Sequence, residues 1–232
     1  MTTQHPTPPS APVPADPGPA AGAFVVFEGG DGAGKSTQAA RLAEHLADAG
    51  RTVLRTREPG GTEIGEKLRG LILDHGHGTV DARTEALMFA ASRAAHVEQV
   101  VLPALASGTV VVCDRYIDSS VAYQGVGRGL GVDDVLMINR WATRSLLPDL
   151  TVLLDVDAEA GRRRRTAGTG AEDRLESEPD DFHARNRRAF LDLAEADPGR
   201  YLVLDAGAGI DELAGRIADR VDALLGAREV RP

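Results

Sequence analysis

Short apolar runs alternate with longer amphipathic stretches along most of the chain. Five runs rich in β-branched residues have the length of buried strands. The predicted strands cover residues 24–28, 52–56, 109–114, 150–156 and 201–205. Between them lie helical patterns such as Ala39, Leu42, Ala43 and Leu46, which follow the i, i+3, i+4, i+7 spacing of one buried helix face. This alternation predicts an α/β fold with a parallel five-stranded sheet and helices on both faces.

The two ends of the chain have a different composition. Residues 1–22 contain seven of the thirteen prolines and almost no large apolar side chain. Such a segment cannot bury enough surface to fold, and it lacks the basic start and apolar core of a signal peptide. We therefore expect a disordered Pro/Ala-rich tail over 1–22, one folded domain over 23–226 and a short tail over 227–232.

Charge and cysteine content narrow the class of protein. The formal net charge of −9 argues against a protein that coats nucleic acid. No stretch approaches the roughly 18 apolar residues of a membrane-spanning helix. The single cysteine, Cys113, excludes an internal disulfide and suits a reducing compartment, and its apolar surroundings favour a buried strand thiol over a nucleophile. We expect a cytoplasmic protein without nucleic-acid or membrane partners.

The first predicted strand runs directly into the glycine-rich stretch GGDGAGKST. It matches the pattern G-x-x-x-x-G-K-[ST] with Gly29, Gly34, Lys35 and Ser36 in register. Glycines let consecutive N–H groups turn toward a phosphate, the lysine reaches the outer phosphates, and the serine hydroxyl can ligate Mg²⁺. The amphipathic helix that follows adds its positive N-terminal end. The stretch therefore predicts a site for a nucleoside triphosphate and Mg²⁺.

This loop alone does not separate a kinase from a GTPase, a motor or a regulatory ATPase. The chain has no N-K-x-D sequence of the kind that reads guanine, which argues against a GTP-specific switch protein. The acceptor of the phosphate must be sought elsewhere in the chain.

Three further stretches bear on the acceptor. TREPGGT follows the second strand, DRYIDSSVAYQG begins at the end of the third, and a predicted helix over 87–99 places Phe89 and Arg93 four residues apart on one face. An aromatic ring beside a guanidinium can stack on a base and donate hydrogen bonds to its edge. Each feature alone has an ordinary alternative: Phe89 in the core, Arg93 in a surface salt bridge, Asp114 with Arg115 as an ion pair. Their joint position at strand ends favours a binding site.

Together these stretches resemble bacterial thymidylate kinase. FEGGDGAGKST, TREPGGT, the Phe-x-x-x-Arg helix, DRYIDSSVAYQG and PDLTVLLDV…DRLE occur in the family's order between about Ala23 and Gly226. The resemblance implies a phosphate-loop kinase fold with a mobile lid. It implies transfer of the γ-phosphoryl group of ATP to dTMP, giving dTDP for dTTP synthesis, with Mg²⁺ and as a homodimer.

The resemblance also implies roles for individual residues. The ATP phosphates would be held by Gly29, Gly30, Asp31, Gly32, Ala33, Gly34, Lys35, Ser36 and Thr37. The dTMP pocket would comprise Asp31, Arg57, Glu58, Phe89, Arg93, Arg115, Ser119, Ser120, Tyr123 and Gln124. In it, Phe89 would stack on thymine, Arg93 would bond to its carbonyl edge, and Arg115 would grip the phosphate. Tyr123 and Gln124 would line the sugar. Ser36 and Asp114 would hold Mg²⁺, the latter directly or through water.

The remaining catalytic charge is expected in a lid over residues 160–176. The phosphate loop itself contains no arginine, and within the family this implies the type that carries its assisting arginine in the lid. We favour Arg164, with Arg165 and Arg174 as the alternatives, beside Lys35, Asp31 and Arg115 in the catalytic set. A solvated basic helix end is the alternative interpretation for at least two of the four arginines at 162–165.

Two other functions stay open at this point. One is a different phosphate-loop kinase, acting on another nucleoside monophosphate or on a deoxynucleoside, although the TREPGGT turn and AYQG fit thymidylate kinase better. The other is a non-catalytic ATP-binding module, which predicts nucleotide binding without turnover.

Overall fold

The computed structural model describes residues 22–166 and 172–229. The predicted N-terminal tail therefore lies outside the described residues except for Gly22, as do residues 167–171 of the predicted lid and residues 230–232. The last helix continues to Glu229, three residues beyond the expected end of the domain at 226.

The strands form one parallel sheet, as predicted. They are β1 (Phe24–Glu28), β2 (Val53–Arg57), β3 (Val110–Asp114), β4 (Leu150–Asp155) and β5 (Tyr201–Asp205). Their order across the sheet is β2-β3-β1-β4-β5. Each boundary lies within one residue of the predicted one, because the β-branched runs are bounded by turn-forming residues on both sides.

Helices connect the strands over the described part of the chain. They are α1 (Lys35–Asp48), α2 (Glu63–Leu73), α3 (Ala82–His96), α4 (Leu102–Ala106), α5 (Ile117–Ser120), α6 (Val132–Ala142), α7 (Ala158–Thr166), α8 (Asp180–Ala196) and α9 (Ile210–Glu229). Two π-helical segments, Val97–Val101 and Val121–Gly127, directly follow α3 and α5. None of the helices in the described ranges is both long and apolar enough to cross a bilayer.

Alternate side chains of β1 pack on opposite faces of the sheet. Val25 and Phe27 join a cluster that includes Leu42 of α1 and Ile217 of α9. Phe24 and Val26 join a second cluster on the other face with residues of the first π-helical segment, of β3 and of α6. Both faces of a central parallel strand are therefore covered, as expected for crossovers through helices. The second cluster includes Cys113, which is fully buried, as the sequence predicts.

The topology places a site at the end of β1. This strand has β3 on one side and β4 on the other, so chain connections leave it in opposite directions. Ligands of such sheets bind beyond the carboxyl ends of the strands at this switch point. Glu28 ends β1 and Asp114 ends β3, and the phosphate loop begins between them.

Candidate active site

The turn from β1 into α1 presents main-chain N–H groups to an anion. Gly34 precedes α1 with φ of 92°, no side chain caps the helix, and its first turn has no acidic residue. The first N–H groups of an uncapped helix are free to bind a phosphate. Gly29 has φ of 129°, and a Cβ there would lie 2.2 Å from the carbonyl oxygen of Leu154. Only glycine allows the loop to pass so close to β4.

Lys35 lies across the loop. Its Nζ donates hydrogen bonds to the carbonyl oxygens of Gly29 (3.0 Å) and Gly30 (2.9 Å), and it lies 4.0 Å from a carboxylate oxygen of Asp31. Burial lowers the pKa of Lys35, and the nearby charge of Arg115 lowers it further. The ammonium group is thus fixed at the mouth of the anion site and poorly solvated, which strengthens its attraction for phosphate.

Ser36 and Asp114 form a pair of oxygen ligands beside the loop. The Oγ of Ser36 donates to Oδ2 of Asp114 at 2.7 Å. A hydroxyl and a carboxylate suit Mg²⁺, which usually takes few protein ligands and completes its shell with phosphate and water. The described residues contain no cluster of three or more His, Cys, Asp or Glu that could hold a metal by itself. The pair therefore fits a magnesium ion that arrives with a nucleotide.

A cavity of about 500 Å³ opens from the phosphate loop toward α3. Most of the predicted site residues line it: Asp31, Gly32, Gly34, Lys35, Ser36, Thr37, Arg57, Glu58, Phe89, Asp114, Arg115, Ser119, Tyr123, Gln124 and Arg164. The cavity is also lined by six residues that were not predicted as site residues: Pro59, Arg69, Leu73, Asp173, Leu175 and Glu176. The wall combines a basic region with an apolar region around Phe89, a combination that suits a flat ring carrying an anionic group.

The other predicted residues whose side chains the structure describes do not line the cavity. Arg93 and Ser120 are each only 2% exposed and lie behind it. Arg174 bonds to the main chain of α2 instead of the cavity. The side chain of Arg165 lies outside the described residues. Gly29, Gly30 and Ala33 belong to the turn of the phosphate loop itself.

Asp31, Arg115 and Tyr123 form one charged cluster in the cavity. Arg115 pairs with Asp31 through Nη2 and donates from Nη1 to Ser119 Oγ at 3.0 Å. The hydroxyl of Tyr123 donates to the other carboxylate oxygen of Asp31 at 2.9 Å. Burial alone would raise the pKa of Asp31, but Arg115 and Lys35 hold it well below its usual range. Asp31 is therefore an anion that orients the guanidinium group of Arg115.

Glu28 lies beneath this cluster and is fully buried. Its carboxylate accepts from the N–H groups of Tyr116 (2.8 Å) and Ser119 (3.1 Å) and from Ser119 Oγ (2.6 Å). Burial raises the pKa of Glu28 to about 7, with a further contribution from the charge of Asp118. One buried carboxyl group thus fixes the turn that carries Arg115, and its protonation state changes near neutral pH.

We expect Glu28→Gln to remove a pH dependence of stability. The pKa is raised from 4.5 to about 7 on folding, so the folded protein holds an extra proton between these values. This stabilising contribution is complete below pH 4.5 and is lost as the pH rises through 7. It corresponds to about 3 kcal/mol. Urea unfolding at pH 5 and pH 8 measures it. The free energy of unfolding of the wild type should fall between these pH values by more than that of the variant. If the free energy of unfolding changes equally in the two proteins between pH 5 and pH 8, Glu28 does not titrate in this way.

Arg93 is the centre of a buried polar network. Its Nε donates to Glu58 Oε2 at 2.6 Å, and its Nη2 donates to the carbonyl oxygen of Tyr116 at 2.8 Å. Nη1 bonds to both Ser120 and Asn139. The other oxygen of Glu58 contacts Nδ1 of buried His96 at 2.8 Å. Glu58, which reaches the cavity, is therefore held in place from two sides.

Three of the four consecutive arginines have described side chains, and they point to different partners. Arg164 donates from Nη2 to the carbonyl oxygen of Ala206 at 2.9 Å and lies 3.5 Å from that of Gly32 in the phosphate loop. Arg162 pairs with Asp180 of α8, and Arg163 pairs with Glu159 one turn earlier in α7. Of these three, Arg164 is the one that lines the cavity.

Comparison with known proteins agrees with this geometry. The family model for thymidylate kinase matches residues 27–217. A thymidylate kinase of Clavibacter michiganensis is 53% identical over 206 residues, which are 89% of this chain and 97% of the relative. That of Cutibacterium acnes is 52% identical over 204 residues, with 88% and 98% covered. That of Pelobacter propionicus is 43% identical over 205 residues, with 86% and 94% covered.

The chain belongs to the thymidylate kinase family. The matched region runs from the end of β1 into α9 and includes every predicted site residue. The resemblance stated from the sequence motifs is thereby confirmed, and so is the fold of a phosphate-loop kinase.

The residues that were not predicted differ in whether the sequence carries a signal for them. Arg69 could have been found, because it lies on one face of α2 with Glu66 and Leu73 and this face begins beside Arg57. His96 could not, since its contact with Thr56 joins residues 40 positions apart. Buried polar partners of this kind depend on packing between elements and leave no periodic pattern.

Proposed function

We propose that this site transfers the γ-phosphoryl group of ATP in line to dTMP. Membership of the thymidylate kinase family makes the chain an ATP-dependent dTMP kinase. The observation that carries the residue assignment is the single cavity that joins an uncapped helix N-terminus to a pocket with an aromatic wall and several arginines. Donor and acceptor phosphates then meet between Lys35 and Arg115.

On the donor side, the phosphate loop from Gly29 to Thr37 binds the ATP phosphates, and Lys35 offsets the charge of the transferred group. Bound Mg²⁺ would neutralise phosphate charge, and Ser36 and Asp114 would hold it. The short contact between these two side chains supports this assignment. Phosphoryl transfer depends mostly on such positioning and charge neutralisation.

On the acceptor side, we assign dTMP to the pocket between α3 and the turn after β3. Phe89 stacks on thymine, and Arg115, with Arg57 and Asp31 nearby, binds the phosphate. Ser119 steadies Arg115, while Tyr123 and Gln124 line the sugar. The placement of all seven side chains on one cavity supports the assignment.

Arg93 is proposed to bond to the carbonyl edge of thymine from behind the wall, next to Ser120 and Glu58. A guanidinium has five N–H donors. Four of the five have acceptors among the described residues: one on Nε, two on Nη1 and one on Nη2. The remaining Nη2 donor supports a contact with a bound base.

Transfer also requires charge on the ATP side of the cavity and exclusion of water. We assign this part to Arg164, whose contacts with Ala206 and Gly32 already place it over the phosphate loop. Arg165 and Arg174 are the alternative candidates for this charge within the same segment. In the structure, Arg174 pairs with Glu85.

The direct test is a coupled assay of ADP formation with dTMP, dUMP, dCMP, AMP and thymidine as acceptors. The proposal expects dTMP to have the highest kcat/KM. A higher value for any other acceptor would support a different nucleotide kinase, and binding of ATP without turnover of any acceptor would support a regulatory module.

Arg93→Ala should weaken the binding of dTMP far more than the binding of ATP. We expect KM for dTMP to rise about tenfold or more, because a hydrogen bond between a charged donor and the base is lost. The protein should also lose about 3–5 kcal/mol of stability, since Glu58 then lies buried beside His96 without its cation. Initial rates at saturating co-substrate and urea unfolding measure the two effects. Exposed Arg144→Ala is the control, and equal losses for ATP and dTMP would contradict the assignment.

We also propose a homodimer and a cytoplasmic location. Leu87 of α3 and Met137 and Trp141 of α6 are 57%, 63% and 86% exposed, on two helices that pack against each other. Such large apolar side chains support an interface with a second copy. Light scattering should give a dimer for the wild type and a monomer for the double variant Trp141→Glu with Met137→Glu; a monomeric wild type would contradict the proposed dimer.

The free thiol of Cys113 and the use of ATP support the proposed cytoplasmic location.

A further inference from the structure

Glu85 on α3 is a buried carboxylate that joins three separate parts of the chain. Its side chain is 1% exposed. Oε1 accepts from Gln124 Nε2 at 2.9 Å and from Arg128 Nε at 3.3 Å. Oε2 lies 3.2 Å from Arg128 Nη2 and 2.7 Å from Arg174 Nη2. Neither the phosphate loop nor the proposed base contacts use this residue.

The contact with Glu85 determines which way the amide of Gln124 faces. A carboxylate paired with two guanidinium groups only accepts hydrogen bonds, so Gln124 must present its NH₂ group to Glu85. Its carbonyl oxygen then points away. Gln124 lines the cavity and is 1% exposed, and this Oε1 has no hydrogen-bond partner among the described residues. A buried acceptor that lines a cavity and has no partner among the described residues is available to a ligand N–H or O–H group.

Arg174 connects the same carboxylate to another part of the cavity wall. Its main-chain N–H bonds to the carbonyl oxygen of Leu73 at 3.0 Å, and its Nε bonds to that of Ile72 at 2.8 Å. Its neighbours in sequence, Asp173 and Leu175, line the cavity. Arg174 therefore anchors this wall to the end of α2.

Arg128 holds the other end of the same wall. Its Nη1 donates to Glu178 Oε1 at 2.6 Å, while its Nε and Nη2 face Glu85. The turn over residues 174–177 is therefore tied to Glu85 at both ends, directly through Arg174 and through the Arg128–Glu178 pair. A change at Glu85 would reach Gln124 and this turn together.

We propose that Glu85 is a positioning residue for the acceptor site: it fixes the direction of the Gln124 amide and anchors the part of the wall at 173–178. This rests on the proposed assignment of the cavity to dTMP. Among the described residues, Glu85 contacts neither the phosphate loop nor Arg164, so we expect the effect of a substitution to fall on the acceptor.

Glu85→Gln tests this with little change in size. Without the carboxylate, the Gln124 amide can turn over and the two arginines lose their shared anion. We expect KM for dTMP to rise about tenfold or more, with KM for ATP within about twofold of the wild type. Glu98→Gln, which removes an exposed pair with Arg144, is the matched control and should leave both values unchanged.

A double-mutant cycle with Gln124→Leu distinguishes positioning from a general loss of structure. If Glu85 acts through Gln124, adding Glu85→Gln to Gln124→Leu should raise KM for dTMP less than about threefold. A full tenfold rise in KM for dTMP in the Gln124→Leu background, or equal rises in KM for ATP and for dTMP, would overturn the proposal. A wild-type chain that does not phosphorylate dTMP would instead refute the site assignment, whatever the variants do.

Glu85→Asp keeps the test decisive if the glutamine variant does not fold. Aspartate retains the charge needed by Arg128 and Arg174 but is one methylene shorter, which withdraws the oxygen from Gln124. We expect a rise of several-fold in KM for dTMP, an unchanged KM for ATP and cooperative unfolding. A folded Glu85→Asp protein with wild-type KM for dTMP would overturn the proposal.

Discussion

Lys35→Ala is expected to lower kcat/KM by about 10³-fold, as does loss of a donor at the reacting centre of other enzymes. The reason lies in the environment of Nζ. It is buried, bonded to two carbonyl oxygens of the phosphate loop and 4.0 Å from Asp31, so its charge is fixed and poorly screened. Water that fills the space in the variant would supply no fixed positive charge to the transferred phosphoryl group.

The measurement is the steady-state rate with dTMP, together with ATP affinity by calorimetry. Lys67→Ala is a suitable control, since Lys67 lies on the surface of α2 in an exposed pair with Glu63. The control should keep full activity. If Lys35→Ala retained a near-normal kcat, the phosphate loop would not be the donor site.

Arg164→Ala should have the second-largest effect, a fall in kcat of about 10³-fold with KM for dTMP almost unchanged. Arginines that reach the transferred group contribute 10³–10⁵ in related reactions. Arg164 lines the cavity and contacts the loop at Gly32, whereas its neighbours Arg162 and Arg163 pair with acids outside the cavity. The expected loss is in kcat because this charge acts on the transition state.

The adjacent arginines provide matched controls for this prediction. Arg162→Ala and Arg163→Ala remove the same charge from the same helix and should reduce kcat less than about threefold. Arg165→Ala completes the series. A large loss in Arg165→Ala with none in Arg164→Ala would move the catalytic role to Arg165, and equal small losses in all four would leave Arg174 as the remaining candidate in the lid.

The part of the site at the strand ends was predictable from the sequence. Asp114 ends an apolar run and ends β3, and Arg57 follows the second run and ends β2. Short strands with β-branched residues signal their own boundaries, and a parallel sheet gathers their carboxyl ends on one edge. Phe89 was predicted from its spacing to Arg93 on a helix, and in the structure its ring lines the same cavity as the phosphate loop.

The network behind the cavity was not predictable in this way. Glu85 contacts Gln124 across 39 positions in sequence, and nothing in either segment marks the pair. The π-helical segment Val121–Gly127 widens one turn, which changes the direction of Tyr123 and Gln124 relative to a regular α-helix. A periodicity of 3.6 residues cannot indicate that change. Arg93, predicted as a residue of the pocket, is mostly engaged with protein acceptors on other elements, which no periodicity indicates either.

The engagement of Arg93 has a consequence for how the pocket discriminates. A mobile arginine would have to give up about 2 kcal/mol of rotamer freedom when a ligand arrives. In this protein the side chain is held by groups of the protein itself, on Glu58, Ser120, Asn139 and Tyr116, so that loss belongs to folding. Under the proposed assignment of Arg93 to the carbonyl edge of thymine, the base meets a rigid template. A wrong base cannot be accommodated by rearrangement of Arg93 without breaking bonds that hold the protein together, and complementarity of shape and polarity decides which base is accepted.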